Sequence, residues 1–276
     1  MTPTWHSEDM PDVPPISVFG WVLALIRFVL IVFSFCIGVL ATLLLRLAER
    51  PIFGLRRPLT SPITQLTFRA TLAIIGLRIK TVGEAITGNG AVVSNHISWL
   101  DILVLNSPQK VVFVSKAEVS GWPGVGFLAR LVGTIFIERD PRQAVTQQKV
   151  LTEALESGRR LLFFPEGTST DGRQVLPFKS TLFGPFFVTD ELNVTRIQPI
   201  TLSYTAPNGV DPRFYGWWGD MELGPHALQV LAQLRHGQAL IQYHPPVNVA
   251  DFPDRKALAK ALQTNVENGM DTREVA

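Results

Sequence analysis

The chain is expected to be an α/β protein, with a mixed, mostly parallel sheet flanked by helices. An N-terminal membrane helix or hairpin and an interfacial helix precede that sheet. Two observations carry this reading. Residues 28–45 form an uninterrupted apolar run, and from residue 85 short β-rich runs alternate with segments of helical periodicity. Composition agrees: 46% of the 276 residues are hydrophobic and only 17% are charged, where soluble domains average about a quarter charged.

Residues 1–15 are polar and Pro-rich and are expected to be disordered. Residues 16–80 are read as membrane-anchoring helices. Phe28 to Leu45 holds 18 residues without a charge, about 27 Å of helix against a hydrocarbon core of roughly 30 Å. Val18 to Ile26 extends the apolar character, but Arg27 interrupts it. A tilted span with Arg27 snorkelling to the interface, or a hairpin in one leaflet, would each accommodate that charge. Arg46, Arg50, Arg56 and Arg57 follow the run, and Glu8, Asp9 and Asp12 precede it. The bias of basic residues puts the C-terminal side in the cytoplasm, at the inner (plasma) membrane. Ser61 and Pro62 read as N-cap and first helical residue of a helix over 63–77, lying on the membrane or docked on the globular part.

Residues 81–276 are read as the catalytic domain. Strands are expected at 91–94, 111–115, 134–138, 160–164, 197–204 and 240–244. The clearest helix is 141–157, with Asp140 as cap, Pro141 at its first position and Gly158 ending it. A last helix is expected over 252–267.

Several function classes are excluded. A net charge of +2 gives no nucleic-acid footprint. Cys36 is the single cysteine, so neither a disulfide within the chain nor a cysteine metal cluster can form. His6, His226, His236 and His244 lack ligand spacing; no metal and no cofactor are expected. Gly124-Val-Gly126 matches a dinucleotide fingerprint, but no acidic residue closes the following strand, so it reads as close helix packing.

Two blocks carry chemistry. Residues 95–101 read Asn-His-Ile-Ser-Trp-Leu-Asp, and about 65 residues later 164–168 read Phe-Pro-Glu-Gly-Thr. His96 stands in the turn after a strand, and Asp101 in the first turn of the next helix. The chain can then fold the imidazole onto the carboxylate, leaving its other nitrogen free to take a proton from an alcohol. Asp101 can equally be the acidic partner of Ser98 in a capping box. Glu166 and Gly167 fall just beyond a strand's carboxyl end, where open α/β sheets bind ligands. Glu166 can accept from acceptor hydroxyls or fix a neighbour, and Gly167 lets an amide approach an oxygen closely. Arg139, after the 134–138 strand, suits a bidentate phosphate contact. Lys116 and Lys179 are weaker candidates for binding a phosphate.

These blocks resemble the glycerolipid and lysophospholipid acyltransferase family, whose signature is His-x4-Asp followed by Phe-Pro-Glu-Gly. Two further blocks fit it: Gly133-x-x-Phe136-Ile137-x-Arg139 and Ile197-Gln-Pro199-Ile200. The resemblance implies an acyl-carrier-protein or acyl-CoA donor, a lysolipid acceptor and a bilayer setting. It implies His96 as general base, Asp101 as its orienting partner, and Arg139, Glu166, Gly167 and Thr168 at the acceptor site. Many 1-acyl-glycerol-3-phosphate acyltransferases carry arginine after Phe-Pro-Glu-Gly-Thr; here Ser169-Thr170-Asp171-Gly172 follows. That departure is similar to the lyso-ornithine-lipid acyltransferase branch, whose acceptor offers a hydroxyl and an ornithine head group in place of a phosphate monoester. Phosphatidate synthesis is the alternative within the family. A membrane thioesterase, with water in place of the alcohol, is the alternative outside it.

Overall fold

The computed structural model describes residues 5–271 except 8, 12–13, 55, 89, 123–124, 138–143 and 188–194, and of 144–148 and 271 only the backbone. Its centre is an eight-stranded sheet in the order β1-β7-β6-β2-β5-β3-β4, with β8 pairing β6. The strands are β1 Arg78–Val82, β2 Gly90–Ser94, β3 Val112–Lys116, β4 Ile135–Ile137, β5 Arg160–Phe163, β6 Arg196–Thr205, β7 Gln238–Tyr243 and β8 Val247–Asn248. The five pairings β1–β7, β2–β5, β2–β6, β3–β4 and β3–β5 are parallel. Those of β6 with β7 and β8 are antiparallel. The sheet is mixed and mostly parallel, as the alternation implies. All five residues of β2 are buried, because a central strand covered on both faces has no solvent side.

Among the described residues seven α-helices accompany it: α1 Val18–Phe53, α2 Thr60–Ile75, α3 Leu100–Asn106, α4 Val125–Val132, α5 Ala144–Glu156, α6 Leu223–Ala232 and α7 Arg255–Asp271. One face of the sheet packs against α2, α3 and α6 through Phe68, Leu72, Leu100, Val104 and Val230. The other packs against α5 and α7 through Leu151, Leu155, Leu258 and Leu262. Strands β1 and β8 and helix α6 were not expected from the sequence, and β1 crosses the expected boundary at residue 80. Helix α7 starts three residues later than expected, because Asp254 accepts from Lys256 N and Ala257 N at 2.7 and 2.9 Å and so caps it there. The expected caps of α5, Asp140 and Pro141, lie outside the described residues. At its other end Gly158 turns the chain at φ 79°. Gly126 packs as expected: a Cβ there would sit 2.1 Å from Ser120 O.

Helix α1 is continuous over 36 residues, about 54 Å, and not a hairpin. Its buried residues are Gly20, Ala24, Gly38, Thr42 and Glu49, spaced in near-helical steps of one stripe that runs end to end. The other faces are apolar and exposed, from Phe19 and Trp21 to Leu44 and Leu47. Arg27 does not snorkel. It turns into the protein and donates to Leu231 O (2.9 Å) and Gln233 O (2.6 Å) at the end of α6, where helix carbonyls lack intrahelical donors.

Helix α2 begins at Thr60, and Ser61 is not its cap. Its cap comes from α1: fully buried Glu49 accepts from Leu59 N (2.7 Å), Thr60 N (3.1 Å) and Thr60 Oγ1 (2.6 Å), and from Arg46 at 3.1 Å. A carboxylate at a helix N-terminus satisfies its free amides and its dipole together. Within residues 1–15, Trp5 and Asp9 reach the domain too. Arg213 donates to Asp9 O at 3.0 Å, and Trp5 lies 6.2 Å from Trp218, ring centre to ring centre.

Because Glu49 joins α1 to α2, Glu49→Ala should destabilise the protein by about 2–3 kcal/mol, the cost of stranding buried donors. Denaturant unfolding in neutral detergent measures this, and an unchanged midpoint would contradict the capping role.

Candidate active site

The chain leaves β2 through Asn95, whose side chain clamps β6 by donating to Leu202 O (2.9 Å) and accepting from Leu202 N (2.8 Å). The next residues are held from both sides. Thr170 N donates to His96 O at 2.9 Å, and Trp217 N to Ile97 O at 2.8 Å. The turn so fixed brings His96 onto Asp101, with Nδ1–H donating to Oδ2 at 2.7 Å. The same Oδ2 accepts from Ile97 N (2.7 Å) and Ser98 N (3.0 Å). Oδ1 accepts from Tyr204 OH at 2.8 Å.

Both sequence readings of Asp101 are therefore met by one carboxylate. It caps the turn into α3 and it holds the histidine. The capping box is half-formed, since among the described residues the buried Ser98 Oγ has no hydrogen-bond partner. Asp101 is fully buried, while the His96 side chain keeps 20% of its surface exposed. Among the described residues nothing hydrogen-bonds His96 Nε2. The imidazole stacks on Phe164 at 4.1 Å and 14°, which fixes its plane. Burial, then the Asp101 charge, push the Tyr204 hydroxyl well above its usual range, so it remains a donor. Its ring lines a cavity of about 500 Å³ with Ile97 and Gly172.

Glu166 is buried behind the histidine. Its two oxygens accept from His96 N and Leu176 N, each at 2.7 Å. Of the two roles open to it, this geometry serves to fix a neighbour. Burial pushes its carboxyl up to about 8; Asp101 adds to the rise, and the two amides and Lys179 oppose it. Gly167 turns at φ 72°, and its N–H donates to Phe164 O at 3.0 Å, so that amide closes the turn. Half-buried Thr168 follows it. Lys179 lies beside the same turn, its N–H on Pro165 O at 3.0 Å. Lys116 ends β3, at the strand-end edge that carries His96. Arg139 lies outside the described residues; β4 ends two residues before it. No group of three or more His, Cys, Asp or Glu among the described residues could hold a metal ion.

An acyltransferase family model matches residues 78–203, a span that includes both blocks. A lyso-ornithine lipid O-acyltransferase of Rhodobacter capsulatus is 47% identical over 271 residues, 98% of each chain. The chain belongs to the acyltransferase family. It is an enzyme of that kind, and its His-x4-Asp motif is the pair just described. A second lyso-ornithine lipid O-acyltransferase, from Brucella abortus, is 38% identical over 72% of this chain and 78% of that one. A 1-acyl-sn-glycerol-3-phosphate acyltransferase of Neisseria gonorrhoeae is 34% identical over 40% of this chain and 43% of that one. The solved 1-acyl-sn-glycerophosphate acyltransferase of Thermotoga maritima shares the fold, with a TM-score of 0.61 at 18% identity over 93% of this chain and 98% of that one.

Sequence reasoning missed Tyr204 in this acyltransferase. The signal was faint: a hydroxyl-bearing residue late in a strand, in step with buried Ile200 and Leu202. Tyr204→Phe leaves Asp101 Oδ1 without its donor. Turnover should fall about tenfold, the worth of one hydrogen bond to a charged group, with KM little changed and a lower melting temperature, because a buried carboxylate oxygen is left unfilled. Full activity in Tyr204→Phe would remove it from the site.

Glu166 adds a pH test. A carboxyl whose folded pKa lies above its unfolded value lends stability that is complete below the unfolded value and is lost as pH rises through the folded one. Wild-type stability, relative to the non-titrating Glu166→Gln, should therefore decline from about pH 4.5 to 8. Thermal unfolding of both proteins across that window reads it, and parallel curves would contradict the shift.

Proposed function

We propose that this acyltransferase moves a fatty acyl group from the thioester of an acyl-carrier protein or acyl-CoA to the hydroxyl of lyso-ornithine lipid. The observation that carries the chemistry is the free Nε2 of His96, on a ring whose Nδ1 is held by Asp101 at 2.7 Å. As the acceptor hydroxyl attacks the thioester carbonyl, Nε2 takes its proton. A C–O bond forms, the C–S bond breaks, and the thiolate leaves and recovers the proton. No covalent acyl-enzyme is required, since among the described residues no serine or cysteine is hydrogen-bonded to His96. Asp101 holds the tautomer and balances the charge that develops on the ring. Glu166, Gly167 and Thr168 shape the acceptor side, and Arg139, Lys116 and Lys179 supply cations for the head group or the donor.

Two things support the acceptor. The Rhodobacter capsulatus relative carries that name along 98% of its length, and Ser169 replaces a phosphate-clamping arginine. Membrane association follows from the exposed apolar faces of α1. Its stripe against the protein supports a helix lying along the bilayer, with α1 and α2 (within 16–80) as anchor. The sheet domain (81–276, joined by β1) then works at the cytoplasmic face of the inner membrane, the side on which the basic residues after the apolar run fall.

The test is a competition between lyso-ornithine lipid and lysophosphatidate at equal surface density with one acyl donor. Lyso-ornithine lipid should be preferred by about one to two orders of magnitude, since an arginine–phosphate bond is worth roughly 1.5–3 kcal/mol. A clear preference for lysophosphatidate would return the enzyme to phosphatidate synthesis. Acyl release to water at the rate of transfer would make it a thioesterase.

A further inference from the structure

A second cavity, of about 600 Å³, opens at the edge of the sheet where β3 and β5 begin, opposite the edge that carries His96. Arg56, Arg57, Lys110, Arg159 and Arg160 line it, together with Phe53, and no carboxylate does. These residues come from the end of α1, the link to α2, and the approaches to β3 and β5. They are far apart in sequence, and the fold gathers them. None pairs with a carboxylate within 4.0 Å among the described residues. The nearest acid on α1, Glu49, is committed to Arg46 and the start of α2.

The cost of this gathering is visible. Burial first, and then the charges of Arg46 and Arg159, lower the Arg57 guanidinium to about 10 against a smaller pull from Glu49. Among the described residues the Arg160 side chain makes only long bonds, at 3.4 Å to Gln109 and 3.3 Å to Gly88 O, and its buried Nε has no partner there. Like charges around one cavity repel, and a buried donor left unmade is costly. A bound anion removes both costs. Guanidinium forks fit phosphate oxygens in pairs.

The rim says which anion. Phe53 of the lining is exposed, as are its chain neighbour Ile52 and Leu59, which follows Pro58 of the lining, and exposed apolar residues run along α1 up to Phe53. A ligand with phosphate in the cavity and acyl chains on that face would satisfy both surfaces. We propose that this cavity binds the phosphate of an anionic phospholipid, such as phosphatidylglycerol, from the leaflet that holds α1. The site is separate from the acyl-transfer centre. It rests on the membrane reading of α1 and not on the identity of the acceptor.

The test uses the full-length enzyme in neutral detergent, with phosphatidylglycerol or phosphatidylcholine supplied and the retained lipid read by native mass spectrometry. Phosphatidylglycerol should be retained over phosphatidylcholine, and millimolar inorganic phosphate should not displace it. The triple variant Arg56→Gln, Lys110→Gln, Arg159→Gln should weaken retention by about tenfold or more, since each of the three cations supplies a charge-assisted bond to the phosphate. Its KM for the acyl donor should not change. Arg57 is spared because it also donates to Leu131 O. If the triple variant does not fold, Lys110→Gln alone, at an exposed position, should still weaken retention. Equal retention of the two lipids, or retention unchanged in the variants, would overturn the proposal. So would a raised donor KM without lipid preference, which would make this the donor's phosphate site. Displacement by inorganic phosphate without lipid preference would leave only a free-anion site.

Discussion

One buried carboxylate sets the conditions for the rest of the site. Asp101 has no exposed surface, and a charge removed from water is tolerated only when its oxygens are filled. Four donors fill them: the His96 ring, the amides of Ile97 and Ser98, and the Tyr204 hydroxyl. Each comes from a different constraint. The amides are there because the turn from β2 into α3 is tight. Tyr204 is there because β6 runs parallel to β2 and extends past it. His96 is there because Asn95 locks the end of β2 to β6. The imidazole is left with a single orientation, and its outward nitrogen has no hydrogen-bond partner among the described residues.

A second buried carboxylate, Glu166, holds the same segment from behind. It takes the amide of His96 on one oxygen and that of Leu176 on the other, tying the loop after β5 to the loop after β2. The two motif blocks are thus two halves of one support, which is why they must occur together. Glu49 does comparable work elsewhere, where it makes the end of α1 the cap of α2. Arg27 and Glu49 fix α1 near both of its ends, so the helix presents one long apolar side to its surroundings. The active edge and the cationic cavity lie at opposite ends of the strands.

Much of this could be read from the sequence where local rules decide. The strands at 91–94, 111–115, 160–164 and 197–204 are short apolar runs, and the structure has them within a residue or two. The His96–Asp101 contact follows from a turn between a strand and a helix. What could not be read depends on partners distant in the chain. Strand β1 is Arg78-Ile-Lys-Thr-Val82, too polar to announce itself; it exists because β7 offers it a parallel edge. Ser61-Pro62 has the right local chemistry for a helix start, but a glutamate eleven residues before Thr60 decides where the helix begins. Arg27 looks like a charge stranded in lipid until the end of α6 is set beside it. Tyr204 is one more strand residue until register brings its hydroxyl to Asp101.

In the proposed reaction Asp101 holds His96 so that its free nitrogen takes the proton of the acceptor hydroxyl. Acyl transfer by purified, detergent-solubilised His96→Ala, with lyso-ornithine lipid and an acyl thioester, tests it most directly. A folded protein, with wild-type circular dichroism, that transfers no acyl group above background is the expected result. Wild-type turnover by that variant would contradict it.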